Sequence, residues 1–213
     1  MLLIHETLLN LHVVLGALAL ILFWIPILAR KGGPTHVRYG KIYVWLMYIV
    51  AVSGVVMSVM VLVNPGYFKP NASLTVVYQF YSLLLFLSAL TFVSVHHAML
   101  VLKHKTDTSV FRRFGFLWMP AILVGGGIAL LIIAAASSST LILHYVFGGL
   151  GVFIGARMGH FAFKKNPPRK VWLTEHIGAI FGSGIAAVNI PFITQSSHRV
   201  IMPHFGTQMV SCH

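Results

Sequence analysis

Six long apolar runs divide the chain, and most of its charged residues fall between them. The runs cover roughly 8–28, 42–63, 76–101, 116–136, 141–163 and 172–193. Each is long enough to cross a bilayer core as a helix, which takes about 20 residues. The pattern predicts an all-α fold, a polytopic membrane helix bundle of six transmembrane helices. Residues 1–193 form the bundle in this reading. Residues 194–213 are too short and too polar to span again, which predicts an external, disordered tail.

Within the runs, spacing adds detail. Gly151, Gly155 and Gly159 recur every fourth residue, so a neighbouring helix can approach that face closely. In the sixth run, Glu175, Gly178, Gly182, Ala186 and Asn189 fall in one narrow stripe at about 100° per residue. A stripe that is both polar and small belongs against other helices. Asn64-Pro65-Gly66 and Lys69-Pro70-Asn71 mark turns, and Asn166-Pro167-Pro168 breaks the fifth connection. Pro120 and Gly125-Gly126-Gly127 make the fourth run the one expected to bend.

Composition supports the membrane reading. Of 213 residues, 58% are hydrophobic and 8% charged, against about 25% charged in soluble domains. The net charge of +12 would point to nucleic acid in a soluble chain. Here the positive charge sits in alternate connections. The first holds Arg30, Lys31, Arg38 and Lys41, and the third holds Lys103, Lys105, Arg112 and Arg113. The fifth, with the end of the helix before it, holds Arg157, Lys164, Lys165, Arg169 and Lys170. The second has Lys69, the fourth has no Lys or Arg, and the tail has Arg199. By the positive-inside rule, connections one, three and five are cytoplasmic and both termini are outside. The expected partner is the lipid bilayer, not nucleic acid. The expected location is the inner (plasma) membrane, multi-pass. The start of the chain has Glu6 and no Lys or Arg before Arg30, unlike a cleaved leader, so the first run is expected to remain as a span.

Histidines carry the candidate chemistry. On this topology His36, His97, His160 and His176, with Glu175, lie near the cytoplasmic ends of their spans. His12 and His144 lie near the external ends. Imidazole ligates haem iron, zinc and copper. His12 with His144, and His97 with His160, are the candidate pairs for haem b. His144 and His160 stand about 24 Å apart in rise and about 160° in rotation, so they do not share one face. A zinc or copper ion is the rival, held by His36, His97, His160, His176 and Glu175. An acid inside a membrane is costly unless paired; for Glu175 a salt bridge to Arg157 is the structural alternative. The expected function is haem or metal binding through clustered histidines, as a redox component with a membrane redox partner. The alternatives are a proton- or ion-coupled carrier and a structural or assembly protein. A hydrolytic triad is not indicated: Asp107 is the sole aspartate, in a loop, and Cys212 is the sole cysteine, in the tail.

Two short blocks carry a resemblance. Lys31-Gly32, His36, Gly40, Tyr43 and Met47 form the first. Glu175-His176, Gly178-Ala179 and Gly182-Ser183-Gly184-Ile185-Ala186-Ala187 form the second. In this order the chain resembles an uncharacterised family of small polytopic bacterial membrane proteins, a domain of unknown function. The resemblance implies a polytopic membrane fold and no established activity. The chain departs from the family pattern after Ala187, where similar proteins continue into a further helix.

Overall fold

The computed structural model describes residues 2–105, 107–137, 141–164 and 170–184. The described residues contain helices and no strand. Helix α1 covers Leu2–Leu28, α2 Pro34–Val63, α3 Pro65–Phe68, α4 Leu74–Lys103, α5 Phe114–Ala136 and α6 Ile142–Phe163. A 3-10 turn, Thr108–Arg112, joins α4 to α5. Residues 171–184 are helical as well. They open the sixth apolar run; its remainder and the 194–213 tail lie outside the described residues.

Helices α1, α2, α4, α5 and α6 are long and apolar enough to cross a membrane. Large apolar side chains face outward along them, among them Leu3, Ile21, Trp45, Ile132 and Phe153. In water such a surface would drive aggregation; against lipid it is the expected exterior. The chain is a multi-pass membrane protein on these grounds.

Helix ends differ from the hydropathy runs for identifiable reasons. Gly32 adopts φ +76°, a conformation glycine takes without steric cost. It turns the chain so that Pro34 can sit in the first turn of α2, where its missing N–H costs nothing. Helix α2 therefore begins eight residues before the apolar run does. His36, Arg38 and Tyr39 lie on its first turns, not in a loop. The turn signal at Pro65 becomes the one-turn helix α3. At the third connection, Asp107 caps the 3-10 turn by accepting from the Ser109 N–H at 2.9 Å.

Packing follows chain order. Helix α1 packs on α2, α2 on α4, α4 on α5, and α5 on α6. The closest approach is between α5 and α6. A Cβ built on Gly127 would stand 2.6 Å from the Gly148 carbonyl oxygen, and one on Gly148 would stand 2.8 Å from the Gly127 oxygen. Gly151 and Gly155 extend the contact, against Phe86 and Leu123 and against Pro120 and Val124. Gly159 is about 80° round from Gly151 and has nothing within 4 Å. The close face is thus Gly148, Gly151 and Gly155, one step earlier than the four-residue repeat indicates. The core beside it contains Leu83, Phe86, Leu90, Leu123 and Phe147.

The 171–184 helix lies against both halves of the bundle. Its Gly184 meets the Phe23 ring of α1, and its Ser183 hydroxyl accepts from Tyr43 of α2 at 3.0 Å. Gly182 faces Ile154 of α6 and Ser94 of α4. Gly178 faces the Arg157 guanidinium, 3.5 Å from where a Cβ would stand. The inward stripe is therefore glycine against long side chains; Ala186 and Asn189 of the same stripe lie outside the described residues.

Candidate functional site

The basic loops mark one end of the bundle, and the main polar constellation sits just inside that end. Helix α4 contributes His97, α6 contributes Arg157, and the 171–184 helix contributes Glu175. Arg157 Nη2 donates to Glu175 Oε1 at 2.9 Å. Glu175 is 15% exposed and Arg157 44% exposed, so the acid is the more enclosed partner. His97 is 2% exposed. Its ring stands edge-on to Phe111 and Phe161, with centroids at 5.5 and 6.0 Å. His97 Nε2 is buried with no hydrogen-bond partner among the described residues. The residues His97, Arg157, Glu175 and Gly178 line a half-open cleft of about 30 Å³. That is room for water with polar partners on its walls. A smaller space of about 10 Å³ lies on the aromatic side of the His97 ring, next to Phe111 and Met119.

Why the sequence builds this is local. Gly178 has no side chain, so the Arg157 guanidinium can lie across it and reach Glu175 one turn away. The cluster Val101, Phe111, Phe161 and Ala162, with Val171 and Trp172 against it, holds the three helix ends together. Lys105 sits 4.7 Å above the Trp172 ring, a cation–π contact that ties the third connection to the 171–184 helix.

The other candidate histidines are satisfied separately. His36 Nδ1–H donates to the Pro26 carbonyl at 2.9 Å. Lys31 donates to the same oxygen and to that of Ile27. These two side chains cap the carbonyl end of α1, so His36 does not fold over the cleft. His176 Nδ1–H donates to the Ala98 carbonyl at 3.1 Å. His144, 4% exposed, donates from Nε2 to the Gln79 carbonyl at 3.0 Å. His12 Nδ1 meets Ser53 Oγ at 2.8 Å, and Ser53 donates onward to Val50; His12 is then the donor. Each such bond fixes which ring nitrogen carries the proton. His160 is exposed on α6.

The structure therefore brings His97 and Glu175 to one cleft, with Arg157, and leaves His160 outside it. It does not bring His12 to His144. Helix α1 packs on α2 and α6 packs on α5, and each imidazole bonds to a different neighbour. Among the described residues no three His, Cys, Asp or Glu side chains are grouped to hold a metal ion.

Buried hydroxyls were missing from the sequence reading. Ser88, Thr91 and Ser94 are all buried, at 6%, 3% and 0% exposure. With His97 they recur at every third residue of α4, a signal present in the sequence. Tyr43 and Ser183 add a buried pair between α2 and the 171–184 helix. A second titratable pair faces the bilayer side: Tyr48 OH and His96 Nδ1 at 3.1 Å, with Phe92 stacked on His96.

No family model, no curated protein and no solved structure matches this chain.

Proposed function

We propose that this chain is a proton-handling membrane protein, a carrier or conductor, in which His97 is the titrating group at the basic end. The observation that carries this is the buried Nε2 of His97, without a partner among the described residues, beside the Arg157–Glu175 ion pair. With His97 neutral, the cleft holds one positive and one negative charge, which neutralise each other. A proton taken up at Nε2 leaves the cleft with a net charge of +1. A buried cation without a partner is costly. Glu175 is the acid available, so it is drawn from Arg157 toward the imidazolium. The charged groups facing this exchange are Arg157 and Glu175; next to it, His96 is paired with Tyr48, His176 with the Ala98 carbonyl, and Lys105 lies on the Trp172 ring. Release to water at the cleft mouth restores the Arg157–Glu175 pair. In this reading the sixth span is completed over 172–193, both termini are outside, and the basic end faces the cytoplasm of a bacterial inner membrane.

A second reading draws on the same nitrogen: a neutral imidazole whose Nε2 has no partner among the described residues can ligate haem b or a zinc or copper ion. It asks more of the fold. A cleft of about 30 Å³ must open to admit a porphyrin, and His160 must turn inward to supply the second axial ligand.

Purified protein reconstituted in vesicles with an internal pH dye tests the first reading. A potassium diffusion potential should drive faster acidification than in protein-free vesicles. His97→Gln should abolish the excess, and His160→Ala should leave it. Wild-type flux equal to the protein-free rate, or undiminished flux in His97→Gln, would refute the proposal. The absorption spectrum and metal content of the same preparation test the second: a haem band or stoichiometric metal that His97→Gln removes.

A further inference from the structure

Serine hydroxyls inside membrane helices normally return to the backbone of their own helix. This chain follows the habit. Ser53, Ser82 and Ser183 each donate to the carbonyl three residues back, and Ser88 donates to that of Leu84, four back. Ser94 departs from it. Its Oγ is buried at 0% exposure and has no hydrogen-bond partner among the described residues. A buried hydroxyl left unmade costs free energy that an alanine would not. The place where it lies is specific. Ser94 is three residues from His97 on α4, which sets their Cβ atoms about 5–6 Å apart on one side of the helix. Across from it stands Gly182, where even a Cβ would remain 4.0 Å from the hydroxyl oxygen. The glycine leaves the hydroxyl uncovered by any side chain at that position.

The two buried polar atoms without partners among the described residues are thus Ser94 Oγ and His97 Nε2, and they are helical neighbours. Neither atom bonds directly to the other, and a bridging water is the kind of group that satisfies such pairs. Further toward the membrane centre, Thr91 and Ser88 repeat the same three-residue step.

We propose that Ser94 is the relay that exchanges protons with His97 on its membrane-centre side, through one water. The proposal rests on the proton-handling reading. The proton enters from a hydronium ion on the Thr91 side. In one concerted step the Ser94 oxygen takes it, the Ser94 hydroxyl proton passes to the water, and the water gives one to His97 Nε2. The hydroxyl is restored and one proton has advanced. Gly182 is the positioning residue, because a larger side chain there would fill the space in front of the hydroxyl.

The test uses Ser94→Ala in the vesicle assay, with thermal unfolding of the same preparations. A relay predicts a fall in proton flux of about tenfold or more, the scale of one hydrogen bond to a charged group. It also predicts a melting temperature close to that of wild type, since among the described residues the hydroxyl bonds to no protein group. Ser94→Thr keeps a hydroxyl and should retain flux. A packing role predicts the reverse split, with stability lowered and flux per folded molecule unchanged, and that result overturns the relay. Unchanged flux in Ser94→Ala while His97→Gln is silent also overturns it, and leaves the His97 reading standing. Wild-type vesicles no faster than protein-free ones would bring down both.

Discussion

Gly148 and Gly149 are adjacent on α6 and should respond oppositely to the same added methyl group. A Cβ at Gly149 meets nothing within 4 Å. Alanine there removes the backbone freedom that glycine loses on folding and should stabilise the helix by about 0.5–1 kcal/mol. A Cβ at Gly148 stands 2.8 Å from the Gly127 oxygen and 3.0 Å from Leu131 Cγ. The first is backbone and cannot rotate away. Relief requires α6 to move off α5 by roughly half an ångström, and such a gap forfeits about a quarter of the dispersion energy of each contact it opens. Leu123, Leu130 and Phe147 all sit in or beside this interface. The cost falls in the range of about 1–3 kcal/mol found for overpacking, against the same helix gain. The two variants should therefore differ by roughly 1–3 kcal/mol, with Gly149→Ala the more stable. Thermal unfolding in one detergent, read by loss of monodisperse protein, gives the order. If Gly148→Ala melts with or above Gly149→Ala, the α5–α6 approach is not the tight contact described.

Two further outcomes can be checked directly. A reporter active only in the cytoplasm should work when fused after Lys105 and be silent after Lys69; the opposite pattern reverses the proposed orientation. The Asp107 carboxylate accepts from the Ser109 hydroxyl and N–H, which holds it below the usual carboxylate range. Its cap on the 3-10 turn is then present above the ordinary carboxylate value and is lost as pH falls through the lowered one. An NMR titration should place its midpoint below that of an unperturbed aspartate, and a midpoint at or above the unperturbed one removes the cap from the account.

Much of the fold was legible because lipid enforces one rule along the whole chain: apolar runs long enough to span become helices. The first five runs all do so. Their ends were less legible, because a helix can begin on polar residues when a turn and a proline set its first φ angles. That is why α2 starts at Pro34 with His36 already helical. The site was legible in part. Depth along the spans pairs His97 with Glu175, and both line one cleft, yet depth carries no information on direction around a helix. His160 shares that layer and faces outward, while His176 turns to a backbone carbonyl. Arg157 was readable as a partner for Glu175 from charge alone. Ser94 was not, because nothing in a sequence tells a serine that bonds to its own helix from one that does not.

The 171–184 helix has a consequence for how the protein is made. Helices α1 and α2, and α5 and α6, are neighbours in both sequence and space, so each pair can associate soon after it leaves the ribosome. The 171–184 helix touches α1, α2, α4 and α6 at once, and it is synthesised after all of them. Until it arrives, Tyr43 lacks Ser183, Arg157 lacks Glu175, and the Ala98 carbonyl lacks His176. Until then a phenol and a guanidinium lack the partners that the folded protein gives them. The docking of this helix brings the acid Glu175 to Arg157, and variants that weaken that docking should lower the amount of folded protein in the membrane.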